Sequence, residues 1–210
     1  MKAERVRGNE TQADCAEREL RLNGMMRASE LLARGVTAST LRRLSTSGRV
    51  TRLGRGLYQL ADAPHEEQHM VAEAAKRVPK AIVCLISALA FHKLTDLHPR
   101  QVWLAIGQKD WAPKLDAPPV RVIRLTDTML VTDVQYAIVE GVEVKLFSPT
   151  RTVVDLFRYE RLVGLNVAIE GLKEILRTRR STPAAIADRA TALGAWTKMR
   201  PYLEALTAYA

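Results

Sequence analysis

The chain has 210 residues, 47% of them hydrophobic and 26% charged, and its 32 Lys and Arg outnumber 23 Asp and Glu for a net charge of +9. That length holds one large or two small domains, and the composition is that of an ordinary globular protein. Two cysteines, Cys15 and Cys84, are too few for a disulfide framework and are not spaced for a metal, so both are expected to be reduced. No apolar run approaches bilayer length, and the opening MKAERVRGNE lacks the apolar core of an export signal, so a cytoplasmic protein is expected.

Residues 1–10 read as a flexible, charged lead. Thr11 to Leu22 then predicts a helix with Ala13, Ala16 and Leu20 inward. Met25 to Leu60 is the most structured signal of the chain. Ala28, Leu31 and Leu32 share a helical face, and Gly35 stands where a left-handed residue ends a helix. Thr37 caps a second helix whose Leu41 and Leu44 point inward. Ser39, Arg43 and Thr46 then point outward, with Thr40, Arg42 and Ser47 on the flanks. Gly48 ends this helix. Val50–Leu53 and Leu57–Leu60 flank Gly54-Arg55-Gly56, a hairpin tip. Helix, turn, helix and basic hairpin over residues 11–63 make a winged helix-turn-helix.

Its charge points to duplex DNA. Residues 25–60 carry seven Arg, no Lys and one acid, Glu30, a net of +6. The guanidinium fork matches both phosphate oxygens and the guanine edge. Arg43 and Ser39 are the candidates for base-edge contact. Arg49, Arg52 and Arg55 are the candidates for the phosphate backbone or the wing.

Ala61-Asp62-Ala63-Pro64 marks a boundary, and residues 64–210 form the second domain. His65 to Val78 predicts a helix with Met70, Ala74 and Val78 on one face, stopped by Pro79. It contains His65-Glu66-Glu67-Gln68-His69, a match to the zinc-protease pattern H-E-x-x-H. The match lies at a fraying helix start, carries a charge at Glu67 and has no evident third ligand, so it is set aside as chance. Ala81–Cys84 predicts a buried strand leading into a buried helix from Ser87, with His92 as a helix-end residue. Gln101–Ile106 is a strand anchored by Trp103. Gly107–Pro119 is a polar loop in which Trp111 is expected to plug the loop rather than offer a surface contact.

Val120–Leu125 alternates as a strand, and Val134–Val139 with Val142–Phe147 flank the hairpin turn Glu140-Gly141. Ser148-Pro149 opens a helix with Val153, Val154 and Phe157 inward. Leu165, Ala168, Ile169, Leu172, Ile175 and Leu176 form a helical stripe. The Arg177, Arg179 and Arg180 cluster beyond it suits the helix dipole better than a second phosphate contact. Thr182-Pro183 opens a helix that Gly194 closes, and Met199–Leu206 is the last one. The whole is mainly α with an α+β second domain, a small sheet packed with helices. No P-loop, Rossmann glycine pattern or nucleophile elbow is present, so no catalytic residue, metal or cofactor is expected.

Four stretches resemble the AbiEi-type antitoxins of type IV toxin–antitoxin, or abortive-infection, operons. They are ELLARGVTASTLRRLSTSGRVTRLGRGLYQL (30–60), VPKAIVCLISALAFHKLTDLHPRQVWLAI (78–106), GVEVKLFSPTRTVVDLFRYERLVGLNVAIEGLKEIL (141–176) and MRPYLEAL (199–206). SPTRTVVDLF and GLNVAIEGL are the more specific among them. Arg27 departs from the Thr or Ser cap common in related chains. The resemblance implies that the N-terminal domain binds inverted repeats in its own promoter and represses the operon. It implies that the C-terminal domain counteracts a nucleotidyltransferase-like toxin, with no stable complex required. Two other classes stay open: a stand-alone regulator whose second domain senses a ligand or protein, and a metal-dependent hydrolase built on His65 and His69.

Overall fold

The computed structural model describes residues 10–64 and 67–208. By contact the chain forms two units, Met1–Lys76 with Ile138–Glu143, and Arg77–Ala137 with Val144–Ala210.

The N-terminal unit begins with α1 (Gln12–Asn23), capped by Thr11 in a reciprocal box with Asp14. Its buried face is Ala13, Cys15, Ala16 and Leu20, as the spacing predicts, with Cys15 added. A short strand β1 (Met26–Arg27) follows, then α2 (Ala28–Ala33) and α3 (Ala38–Thr46). The strands β2 (Val50–Gly54) and β3 (Leu57–Leu60) close the hairpin. The sheet order is β1-β3-β2, all antiparallel, with a bulge between Arg52 and Gly54. No period reveals a two-residue strand, so β1 was not expected. Leu20, Met26, Leu31, Val36, Leu41, Leu44, Val50 and Leu60 make the core. Leu32 corrects the sequence reading: it is 47% exposed, because the six-residue α2 turns only Leu31 fully inward.

Glu30 holds α2 to α4 (His69–Arg77), its carboxylate 2.9 Å from Lys76 Nζ and accepting the Arg27 N–H at 2.6 Å. Burial pushes this carboxyl up, but the Arg27 N–H and the Lys76 ammonium outweigh it and hold it below the ordinary 4.5. The helix α4 stops at Arg77, before the expected Val78, since the residue preceding a proline disfavours helical geometry. It buries Val71, Ala72, Glu73, Ala74 and Ala75, leaving Met70 and Val78 half-buried. The Glu140-Gly141 turn belongs to this unit. Both residues have positive φ, +48° and +75°, as a two-residue turn of this kind needs. It meets the end of α1 backbone to backbone: a Cβ on Gly24 would lie 1.6 Å from the Glu140 carbonyl oxygen.

The C-terminal unit is built on β4 (Ile82–Val83), β5 (Val102–Gly107), β6 (Val120–Leu125), β7 (Val134–Val139) and β8 (Val142–Phe147). The sheet order is β6-β5-β4-β8-β7. It is mixed: β4 runs antiparallel to β5 and parallel to β8, and β5 runs parallel to β6. Every residue of β5 is buried, which explains its unbroken apolar run. Trp103 is 3% exposed under the Arg121 guanidinium, whereas Trp111 is 95% exposed and plugs nothing. Its loop folds on Asp110 and Arg124 instead, with Arg124 donating to three carbonyls at Gly107, Gln108 and Asp110.

The helices are α5 (Leu85–Phe91), α6 (Asp127–Val131), α7 (Pro149–Arg158), α8 (Glu160–Val163), α9 (Leu165–Arg177), α10 (Pro183–Ala192) and α11 (Trp196–Thr207). Helix α5 starts two residues before Ser87, whose hydroxyl instead accepts the Trp103 N–H at 2.9 Å. Helix α11 starts three residues before Met199 and carries Pro201 inside it. The short α6 and α8 were not expected. Helix α7 is central, packing on α5, α9, α10 and α11. It is capped by Ser148 and Pro149 and buries Val153, Val154 and Phe157 as predicted.

Helix α7 also buries an ion pair invisible to hydrophobic patterning. Arg151 and Asp155 are both 0% exposed. Arg151 Nε donates to Asp155 Oδ2 at 2.6 Å, and Arg158 Nη1 donates to Oδ1 at 2.7 Å. The Arg151 guanidinium lies 4.4 Å from the Phe147 ring centroid and donates to the Met129 carbonyl at 3.3 Å. Removing one partner of such a pair leaves an uncompensated buried charge and costs about 3–5 kcal/mol. Urea denaturation should show Asp155→Ala destabilised by about that much. The double variant Arg151→Met, Asp155→Leu should recover most of the loss. Glu30 gives a pH-dependent counterpart. Its folded pKa lies below its unfolded one, so it stabilises above the ordinary carboxylate pKa and loses this as pH falls through the depressed value. Glu30→Gln should therefore be less stable than the parent at neutral pH, with the gap closing in paired melting curves as pH falls below the ordinary carboxylate range.

Candidate nucleic-acid interface

The interface is set by how α3 is held. Gly35, at φ +88°, turns the chain out of α2 and lets Val36 bury at 1% exposure. Thr37 is the N-cap of α3, accepting the Thr40 N–H at 3.3 Å. Leu41 and Leu44 sink to 2% and 1% exposure, so the opposite face stands in solvent. Ser39, Arg42, Arg43 and Thr46 are exposed on it. Thr46 Oγ1 donates back to the Arg42 carbonyl at 3.0 Å, and the exposed Ser47 caps the helix end, donating to the Leu44 carbonyl at 3.1 Å. Thr40 differs from the flanking position expected of it: it is 7% exposed, and its hydroxyl donates to Gln12 Oε1 at 2.8 Å. The same oxygen accepts from the Thr37 hydroxyl at 2.8 Å and the Thr37 N–H at 3.2 Å. Gln12 sits on α1, 25 residues before the cap it serves, and no local signal marks it.

The seven arginines of residues 25–60 divide into two groups. Arg34 Nε lies 2.6 Å from Glu19, and Arg49 Nε lies 2.5 Å from Glu17, both acids of α1. Arg27 donates to the Lys76 carbonyl at 2.8 Å. Arg52 Nε donates to the Gly54 carbonyl at 3.1 Å, bracing the bulged hairpin. Arg49 is thus tied to the body of the unit, not presented with the wing. Arg42, Arg43 and Arg55 are exposed and have no acidic partner among the described residues. Two of these lie on α3 and one at the hairpin tip, next to Gly56 at φ +71°. Chemically α3 and the hairpin tip together offer three free guanidinium forks, suited to phosphate oxygens and base edges, and α3 adds the Ser39 and Thr46 hydroxyl oxygens.

The other singled-out residues serve the fold. His69 is the first residue of α4, and its Nδ1 lies 2.8 Å from Glu140 Oε2. His65 and Glu66 of the same motif lie outside the described residues. His92 caps the end of α5, with Nε2 2.7 Å from the Phe147 carbonyl oxygen. Burial lowers its imidazole pKa against the opposing effect of that carbonyl. Arg177 is bidentate on Glu174 at 2.6 and 2.8 Å, and Arg180 Nη1 donates to the His92 carbonyl. Cys15 and Cys84 are free and buried. Burial pushes the Cys84 thiol well up, reinforced by the nearby Asp155 charge. Among the described residues no helix is long and apolar enough to cross a membrane.

No curated protein matches the sequence. The fold is similar to that in the crystal structure of the RV2827C protein from Mycobacterium tuberculosis, with a TM-score of 0.63 at 15% identity, over 98% of this chain and 80% of that one. Residues 16–61, the segment carrying α2, α3 and the basic hairpin, match the family model described as a transcriptional regulator, AbiEi antitoxin.

Proposed function

We propose that the protein is the antitoxin of a type IV toxin–antitoxin system that represses its own operon. The order helix, strand, two helices and hairpin is read as a winged helix-turn-helix that binds inverted repeats in the promoter. The observation that carries this is the partition of arginines. Acids of α1 neutralise Arg34 and Arg49, while Arg42, Arg43 and Arg55 are left exposed without one among the described residues. An exposed arginine used only for stability would gain from an acid beside it; three without one suit a polyanion. Arg43, Ser39 and Thr46 face the major groove, Arg42 flanks them, and Arg52 and Arg55 follow the backbone. Thr40, Ser47 and Arg49 hold the helix and hairpin in place.

The second unit counteracts a nucleotidyltransferase-like toxin, with no stable complex required, and acts as a binding domain rather than an enzyme. Its buried ion pair and sheet fill the interior with packing residues. The stretch SPTRTVVDLF is accounted for by the Ser148-Pro149 cap, the apolar face, the buried Arg151–Asp155 pair, and the hydroxyls of Thr150 and Thr152, which donate to Ser181 and to the Phe147 carbonyl.

Gel-shift binding to the DNA upstream of the gene tests the first half. The parent should bind that DNA over random DNA, and Arg43→Ala should lose about 1–3 kcal/mol of that preference. Arg55→Ala should weaken all sequences alike and lower the log–log salt slope by about one. Two copies per full operator are expected at saturation, since operator symmetry mirrors protein pairing. No preference over random DNA would refute the repressor role. Co-expression with the neighbouring toxin gene tests the second half: growth should be rescued by the full chain. Failure of rescue, with DNA binding intact, would leave a stand-alone regulator.

A further inference from the structure

We infer that Gln12 presets Ser39 as a hydrogen-bond acceptor, so that α3 reads an amino-bearing base, adenine or cytosine, at the position Ser39 faces. The inference rests on the DNA-reading role proposed for α3. Gln12 lies outside the basic stretch and outside residues 16–61, and nothing in its neighbourhood of sequence assigns it to DNA.

One chain of hydrogen bonds joins Gln12 to Ser39 through Thr37. A backbone N–H can only donate, so the Gln12 atom 3.2 Å from the Thr37 nitrogen is the carbonyl oxygen Oε1. This fixes the orientation of the amide without reference to its terminal atoms. An amide oxygen can only accept, so the Thr37 hydroxyl, 2.8 Å away, gives its one proton to Gln12. Thr40 does the same at 2.8 Å. With its proton committed, Thr37 Oγ1 retains two lone pairs. One accepts the Thr40 N–H at 3.3 Å. Thr40 Oγ1 also lies 3.0 Å from Thr37 Oγ1, but its one proton goes to the closer Gln12 oxygen at 2.8 Å, so the other lone pair accepts from Ser39, whose Oγ lies 3.0 Å away. Ser39 therefore spends its only proton inward and turns lone pairs outward.

An acceptor-only serine is a poor neighbour for phosphate, which has no proton to give. In the major groove it matches adenine N6–H and cytosine N4–H, and it opposes the guanine O6 and N7 and thymine O4 acceptors. Gln12 is thus a positioning residue for specificity: it acts on the base through Thr37 and Ser39. Replacing it with a side chain that cannot accept frees the Thr37 hydroxyl to donate to Ser39 Oγ, so that Ser39 turns its own proton outward and becomes a donor.

The test is selection of full-length protein on randomised duplex DNA, run with the parent, Ser39→Ala, Gln12→Met and Gln12→Glu. The position that Ser39→Ala flattens identifies what Ser39 reads. Duplexes with purine for adenine, or pyrimidinone for cytosine, then remove one exocyclic amino group at a time there. The parent should lose about fivefold or more on such a probe, as one hydrogen bond is expected to give, and Ser39→Ala should not change. Gln12→Met should relax that one position to all four bases while keeping the rest of the motif. Gln12→Glu, which still accepts, should keep the preference while binding every sequence more weakly through its charge. The inference is overturned if amino deletion leaves the parent unaffected or if Gln12→Met retains the preference. It is equally overturned if Gln12→Met flattens every position, which would make Gln12 a packing residue only. A parent that enriches no motif at all would overturn the repressor reading itself, and this inference with it.

Discussion

The amphipathicity of α3 constrains the rest of the N-terminal unit. With Leu41 and Leu44 buried at 2% and 1%, a helical period leaves Ser39, Arg42, Arg43 and Thr46 no route to the interior. The core of the unit is small, and α1 supplies its other half through Ala13, Ala16 and Leu20. The small side chains Ala13 and Ala16 leave room for α3, and so the α1 side chains beyond them reach the α3 cap. Gln12 and Glu17 both do so, one onto Thr37 and Thr40 and the other onto Arg49. A single packing event thus fixes the outward face, its cap and the pairing of the flanking arginine.

Charge is distributed by the same event. Glu17 and Glu19 lie on α1 and can reach only the arginines around its own edge, Arg18, Arg34 and Arg49. These pairs are exposed and each contributes little to stability. Their larger effect is on the field: they remove positive charge from the flank and leave it concentrated on α3 and the hairpin tip. Of the net charge of +6 over residues 25–60, the part that no acid or backbone carbonyl engages among the described residues is that of Arg42, Arg43 and Arg55, on α3 and the hairpin tip. Local potential of this kind steers a polyanion and sets its register on the protein.

The two units were legible in the sequence to different degrees, and the reasons are physical. Caps and turns read well, because Thr37, Ser148-Pro149, Thr182-Pro183 and Glu140-Gly141 each impose a local geometry that the structure keeps. Apolar periodicity found α1, α3, α7 and α9. It failed where burial is polar. Arg151 and Asp155 are fully buried, and periodicity gives no sign of it, since it has no term for two charges that neutralise each other. It also failed at Leu32 and Trp111, where residue type suggested burial. A short helix has room for few inward positions, and a loop folded on Asp110 and Arg124 leaves the Trp111 indole outside. Strand β1 and helices α6 and α8 are too short to carry a period at all.

At the candidate interface, the exposed arginines were legible and their partners were not. A sequence shows that Arg42, Arg43, Arg49 and Arg55 are close to one another in the chain, but not that Glu17 withdraws Arg49. The hydroxyls show the same asymmetry more strongly. Ser39, Thr40 and Thr46 look equivalent along α3, one outward, one flanking, one outward. In the fold they have three different proton assignments: Thr40 gives to Gln12, Thr46 gives to the Arg42 carbonyl, and Ser39 contacts the cap hydroxyl of Thr37. A hydroxyl that has already given its proton to the protein can only accept from DNA. What such a helix reads is therefore decided as much by the residues behind it as by those on its surface, and those behind it lie on α1, where composition and charge give no sign of them.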